Sequence, residues 1–514
     1  MYLHTLDFVV LAIYFVGSLL IGIYFARKQT SLEVYFLGGR QIPWFLAGIS
    51  VVATLLSSLS YLSVPGEVIK NGIGWFTSLF AFILIVPVLI WWVIPFLARF
   101  PVTTIYEYLG KRYGVQTRTV TATAFVFSRF IWTGLILYTV AFGVSKMTGW
   151  GVPSIILIVG VVTTFYTTAG GFKAVIWSDF IQFSVLLMGV LVIPIYIGLK
   201  TGIGFFGWWE AFSELGHAEV ATFSFDPTVR TTVIGSILMF FIWNVFVNGT
   251  DQMAAQRYLS TNSAQAGKKS VITFAIGNVL VMLLLIICGI ALFFFYFQQS
   301  NLPLEQYKLM APAQADQMLP EFIAKELPAG LSGLLLAALL AAGMSSMSST
   351  INSVATVALA DLSEGIESLK RLGSSLFRAV LAAILAGIGG IATALGINQF
   401  MQSGEWNLLE LMLRGNHLFV APMGVLFIVG IFFPHVGGRA ALLGFFSGVV
   451  TSISVSFSRE IFSLQNGISF MWIMPASLVV SLVVSYISGF FFSAPSKSQI
   501  SVLSRDKAES LRED

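Results

Sequence analysis

Apolar runs of about 20 residues recur from one end of this chain to the other, and that is the length needed to cross a bilayer. In hydrocarbon every backbone polar group must be paired within the protein, so helices or a closed barrel are the available spanning structures, and runs this long select helices. Only 10% of residues are charged, against roughly 25% in soluble domains, and 57% are hydrophobic. The chain reads as an all-α polytopic protein of the cell membrane. Thirteen spans are expected, near 5–25, 43–66, 74–98, 119–145, 152–170, 174–199, 231–255, 271–297, 329–361, 376–397, 405–433, 438–457 and 468–491.

The basic residues orient these spans. With the N-terminus outside, nineteen lysines and arginines fall in inner loops and tail, seven fall in outer loops, and Arg129 and Arg414 fall within spans. That bias places the N-terminus outside and the C-terminus inside. The first run is followed directly by Arg27 and Lys28 and lacks a basic region before it, so it is read as a retained span. Cys288 is the single cysteine, which excludes a disulfide framework within the chain. The net charge of +4 is spread over short loops, which argues against a nucleic-acid partner. The one N-x-S/T acceptor, at Asn248, lies within a span, and this leans toward a bacterial inner membrane.

Two spans carry interruptions at matching depths. The second contains Thr54, Ser57, Ser58, Ser60 and Ser63 before Pro65-Gly66; the seventh contains Asn244, Asn248, Gly249 and Thr250. Paired interruptions, one in each half of a transporter, point to a binding site at the membrane midplane, although small and hydroxylated residues also serve close helix packing. In "AAGMSSMSSTINS", residues 341–353, four serines crowd into the ninth span. At about 100° per residue Ser345, Ser346, Ser348 and Ser349 cover an arc of about 160° on one side of a helix. Packing would be served equally by alanine and glycine. Four hydroxyls suit a hard cation held by oxygen ligands. Asp179, in the first turns of the sixth span, is a candidate carboxylate for that cation or a hydrated residue at the interface.

The segments "EVYFLGGRQIPWFLAG", "TAGGFKAVIWSDFIQ", "GTDQMAAQRYLST" and "GLLLAALLAAGMSSMSSTINSVATVALADL" together resemble the sodium/solute symporter family, whose members include sodium–glucose, iodide, multivitamin, proline and sialic acid transporters. The resemblance runs across nearly the whole chain. It implies a transporter rather than an enzyme, with a LeuT-type 5+5 inverted repeat. Residues 1–42 would be a leading helix and loop, 43–200 the first repeat, 201–230 an extracytoplasmic loop, 231–433 the second repeat, 434–492 two trailing helices and 493–514 a cytoplasmic tail. It also implies alternating access by a monomer, with Na+ and a small-molecule solute as its partners within the lipid bilayer. One sodium site would be formed by the carbonyls of Ala53, Leu56 and Ala342 with the side chains of Ser345 and Ser346. A second would be formed by Asp179, Ser345, Ser348 and Ser349.

The same resemblance puts Leu55, Ser57, Ser60, Leu79, Trp132, Asn244, Asn248, Asn278 and Arg414 around the solute. Leu79 and Asn278 stand where sugar transporters carry a glutamate and a lysine, and Trp132 stands where sialic acid transporters carry an arginine. A small polar organic solute is the expectation, an organic anion or a sugar derivative. Arg414 or Arg129 could hold a carboxylate; the other reading is a Glu410–Arg414 pair and an Arg129 that snorkels to the interface. His417 raises proton coupling in place of sodium. A solute sensor without coupling and a sodium-leak channel are the competing functions on this fold.

Overall fold

The computed structural model describes residues 3–100, 102–214, 216–219, 221–363, 373–402, 408–464 and 467–501, without the side chains of 408–414 and a few single positions. The principal helices are α1 (Thr5–Ala26), α2 (Trp44–Leu55), α3 (Ser58–Asn71), α4 (Phe76–Arg99), α5 (Tyr106–Tyr113), α6 (Val115–Thr148), α7 (Val152–Thr201) and α8 (Val233–Thr250). They continue with α9 (Gln252–Leu259), α10 (Ala264–Ser300), α11 (Leu304–Lys325), α12 (Leu331–Val357), α13 (Ser375–Gln402), α14 (Leu408–Phe432), α15 (Gly438–Ser456) and α16 (Ile473–Ser488).

Ten of the described helices are long and apolar enough to span a bilayer, or eleven if the piece Leu32–Arg40, bent 110° from α2, is joined to it. The thirteen expected spans differ from this count at the breaks and at the eleventh. The expected second span is two short helices, α2 and α3. The expected fifth and sixth run on as the 50-residue α7, turned at Gly171, whose φ of +58° belongs to the left-handed region that glycine enters freely. The eleventh lies partly outside the described residues.

Helix α12 is the axis of the bundle. In its most apolar window 94% of residues are buried, against 22% for the peripheral α1. It packs on α7 above all, then on α6, α13, α1 and α2. Small residues permit this: a Cβ at Gly343 would stand 2.3 Å from Val140 on α6, so only glycine allows that approach. The four serines therefore sit at the centre of the protein, where each hydroxyl must find a partner inside the fold.

The break between α2 and α3 opens the helix at Leu56 (φ −82°, ψ +90°) and Ser57 (φ −86°, ψ +169°). A helix end leaves its last carbonyls without intrahelical donors. The second break, between α8 and α9, falls at Asp251, whose carboxylate accepts the Met253 amide at 2.8 Å and so starts the new helix. Asn244, Asn248, Gly249 and Thr250, read as the interruption, are still helical, because a capping aspartate stops the chain more firmly than the Asn-Gly pair before it.

Candidate functional site

The orphan carbonyls at the end of α2 are met by the serines of α12. Ser345 donates to the Ala53 carbonyl at 2.8 Å, and Ser346 donates to the Thr54 carbonyl at 2.9 Å. Both hydroxyls also reach the Ala342 carbonyl, at 3.1 and 3.3 Å. Ala53, Ala342, Ser345 and Ser346 thus share one buried knot of neutral oxygens, and Leu56 is where the helix opens beside it. Thr54 belongs to the knot too. Its carbonyl accepts from Ser346 and its hydroxyl lies 2.8 Å from that of Ser349, so it bridges the two halves of the serine cluster.

The other half is ionic. Asp179 on α7 is fully buried, and one of its oxygens, Oδ2, accepts from Ser50 and from the Arg257 guanidinium at 3.0 Å. Arg257 also donates to Ser349 and, at 2.6 Å, to Ser50. Ser348 donates to the Ser345 carbonyl at 3.0 Å. Asp179 is therefore not a hydrated interface residue; it belongs to a dry cluster contributed by α2, α7, α9 and α12. Sequence reasoning missed Ser50 and Arg257. The signal for Arg257 was present in "GTDQMAAQRYLST", six residues beyond Asp251, but charge counting assigns it to an inner loop.

Among the described residues no group of three or more His, Cys, Asp or Glu side chains could hold a metal ion together. Cation chemistry falls on hydroxyl and carbonyl oxygens with one carboxylate, a donor set that suits a hard alkali ion rather than a transition metal.

The expected solute residues lie around the two breaks. Ser58 approaches the Ile136 carbonyl on α6 at 3.4 Å, so the opening of the second span reaches α6 one turn along from Trp132. Phe82 on α4 meets Phe240 of α8 and Phe274 of α10, with ring centroids 5.6 and 5.9 Å apart. Asn244 and Asn278 follow those two phenylalanines by one turn, and Leu79 precedes Phe82 by three residues. Asn244 Oδ1, Asn278 Oδ1 and Trp132 Nε1 are buried without a hydrogen-bond partner. Leu55 and Ser57 are buried and Ser60 is half-buried. Asn248 is different. Its amide donates to the Asn244 carbonyl at 2.8 Å and its oxygen accepts from Tyr258 at 2.7 Å, so both ends are occupied within the protein.

Arg129 neither snorkels nor stands free for a carboxylate. It is buried 3.4 Å from Asp251, a charge pair fixed at the second break. The side chains of Arg414 and Glu410 lie outside the described residues. His417 is buried, and its Nδ1 has no hydrogen-bond partner.

Above these residues a cavity of about 720 Å³ is lined by Leu62 and Ser63 of α3, Thr139 and Gly143 of α6, and residues of α11. Its rim is ionic: Glu67 holds Arg230 through both oxygens, at 2.7 and 3.2 Å, and Lys70 pairs with Asp316. Ser63 lies one turn from Ser60, and Thr139 two turns from Trp132. At the opposite end polar side chains tie separate segments together. Arg40 reaches the carbonyls of Val102 (3.1 Å) and Leu259 (3.3 Å), Gln252 that of Thr103 (2.9 Å), and Asp361 binds Arg118 at 2.7 Å and Thr104 at 2.8 Å.

A model of the sodium:solute symporter family matches residues 35–448. The chain belongs to that family. It is thus a multi-pass membrane transporter that couples sodium to a small organic solute, which is the work the serine knot and the orphan polar atoms suit. The sodium/sialic acid symporter NanT of Aliivibrio fischeri is 29% identical, with 89% of each chain covered. The human sodium-coupled monocarboxylate transporter 2 is 26% identical over 92% of this chain and 75% of that protein. A solved substrate-bound, outward-open sodium-coupled sialic acid symporter superposes with a TM-score of 0.82 at 27% identity, covering 96% of this chain and 99% of that one. Mhp1, a nucleobase-cation-symport-1 family transporter, shares the fold alone, with a TM-score of 0.52 at 14% identity over 91% of this chain and 97% of its own.

Proposed function

We propose that this symporter moves a small hydroxylated organic solute, an organic anion or a sugar derivative, by alternating access. The observation that carries the reading is the donation of Ser345 and Ser346 to the carbonyls at the opened end of α2. A desolvated sodium ion takes the place of those hydroxyl protons: the hydroxyls turn their lone pairs inward, and Ala53, Leu56, Ala342, Ser345 and Ser346 surround the ion with five oxygens. Ion binding then ties α2 to α12 and fixes the break beside which the solute sits. Asp179, Ser345, Ser348 and Ser349 hold a second sodium ion.

Three orphan atoms select the solute's chemistry. Two amide oxygens, on Asn244 and Asn278, seek donors, and the Trp132 indole seeks an acceptor. Solute hydroxyls supply both, with Leu55, Leu79 and Trp132 as apolar walls and Ser57 and Ser60 completing the lining. The names of the relatives, sialic acid and monocarboxylate transporters, favour a solute that also carries a carboxylate.

Thirteen spans in a 5+5 inverted repeat, with residues 43–200 and 231–433 as the repeats, the N-terminus outside and the C-terminus inside, fit the loop charges and the paired breaks. In that orientation the 720 Å³ cavity opens outward while the Arg40, Gln252 and Asp361 contacts close the inner side. The functional unit is one chain, in a bacterial inner membrane, a reading supported by its similarity to symporters from the bacteria Aliivibrio fischeri and Proteus mirabilis.

Purified protein in sealed vesicles tests this reading. With inward sodium, hydroxylated carboxylates or sugar derivatives accumulate above their outside concentration, and collapsing the sodium gradient abolishes accumulation. Binding without accumulation would instead mark a sensor, and sodium current without solute a leak channel.

A further inference from the structure

Arg257 is the feature that the symport reading leaves unexplained. Its side chain is buried, and all three of its nitrogens are engaged: Nε with Ser50, Nη1 with the Met253 carbonyl and Nη2 with Asp179 and Ser349. The neighbouring buried carboxylate, Asp251, is held by Arg129, so the counter-charge of Arg257 is Asp179. That pairing uses one oxygen only. Asp179 Oδ1 is buried and has no hydrogen-bond partner, although the carboxylate is 0% exposed. Arginine thus neutralises the carboxylate without satisfying it.

We propose that Arg257 is a tethered cation that shares Asp179 with the second sodium ion and sets that ion's affinity low enough for release. The inference rests on the assignment of Asp179, Ser345, Ser348 and Ser349 to that ion. Two oxygens of one carboxylate then face two cations, Oδ2 the guanidinium and Oδ1 the sodium. In a dry site a like charge one carboxylate's width away weakens ion binding strongly. Arg257 rides on α9, just beyond the Asp251 break, so movement of that short helix changes its distance from Asp179 and, with it, the sodium affinity.

The sign of the effect separates this role from a structural one. If Arg257 only holds Asp179 in place, removing it loosens sodium; if it competes with the ion, removing it tightens sodium. Sodium titration of the purified protein, read by radioactive sodium binding, has two components in the wild type. In R257Q the second component tightens by about tenfold, since a neighbouring unit charge in a partly screened site is worth at least that much. R257K retains the charge and stays near wild type. Should R257Q not fold, S50A loosens the grip of Arg257 and shifts the second component the same way, by less. A weakened or unmoved second component in R257Q and S50A overturns the proposal while the second site stands. A D179N titration identical to wild type would remove the second site itself, and the role of Arg257 with it.

Discussion

The two polar clusters proposed to hold sodium lie within about one turn of each other on α12, and they are built on opposite principles. Around Ser345 and Ser346 every oxygen is neutral and two come from a helix end whose carbonyls have no other use. Around Ser349 the oxygens include a carboxylate, and an arginine is already seated on it. An ion entering the neutral knot would give it a net charge, held by carbonyl and hydroxyl dipoles once the two serines have turned. The ionic cluster pairs one carboxylate with one guanidinium, so an ion bound there would add to a balanced pair. On the proposed assignment the first site would depend steeply on each ligand, and the strength of the second would be set by a competitor.

The largest effect should come from the neutral knot. Ser345→Ala and Ser346→Ala each delete one ligand of about five and leave a buried carbonyl without its donor. A hydrogen bond or dipole contact to a charge is worth about 1.5–3 kcal/mol, so each variant should raise the sodium concentration for half-maximal uptake about 10- to 100-fold. Unchanged sodium dependence in both variants would break the comparison at its stronger side. Asp179→Asn keeps the shape but removes the charge. It should abolish the second sodium component and lower the sodium-to-solute ratio, while moving the first component by no more than about threefold, as expected for a site that shares few ligands. Because it strands the Arg257 charge in the core, the variant should also melt earlier, and a melting curve must accompany the flux measurement.

The contrast between the clusters also explains what was legible in the sequence. Apolar runs, basic loops and the four hydroxyls on one arc need only local spacing, and α12 keeps those serines on one buried side. The breaks were half legible. Serines and Pro65-Gly66 pointed to the second span, yet the chain opens at Leu56, ahead of the proline, which α3 accommodates within its helix. In the seventh span Asp251 outranks Asn248-Gly249, because a cap acts at one position whereas a low-propensity pair only weakens a helix. What no local pattern could supply was partnership across the fold. Arg257 meets Asp179 and Arg129 meets Asp251 over separations of 78 and 122 positions, whereas in sequence Arg257 reads as an inner-loop charge and Arg129 as a charge within a span that holds a carboxylate or snorkels.

The smallest expected effect sharpens the boundary between the clusters. Thr54 gives its carbonyl to Ser346 on the neutral side and its hydroxyl to Ser349 on the ionic side, 2.8 Å away. Thr54→Val keeps the carbonyl, the branched shape and the volume, and deletes only the hydroxyl. The first sodium component should stay within about twofold of wild type, since no ligand is lost, while freeing the Ser349 hydroxyl should move the second by about two- to fivefold, the usual worth of one neutral hydrogen bond. If both components move together by the same factor, the clusters act as one coupled site, and the division between a dipolar cage and a competed carboxylate has to be given up.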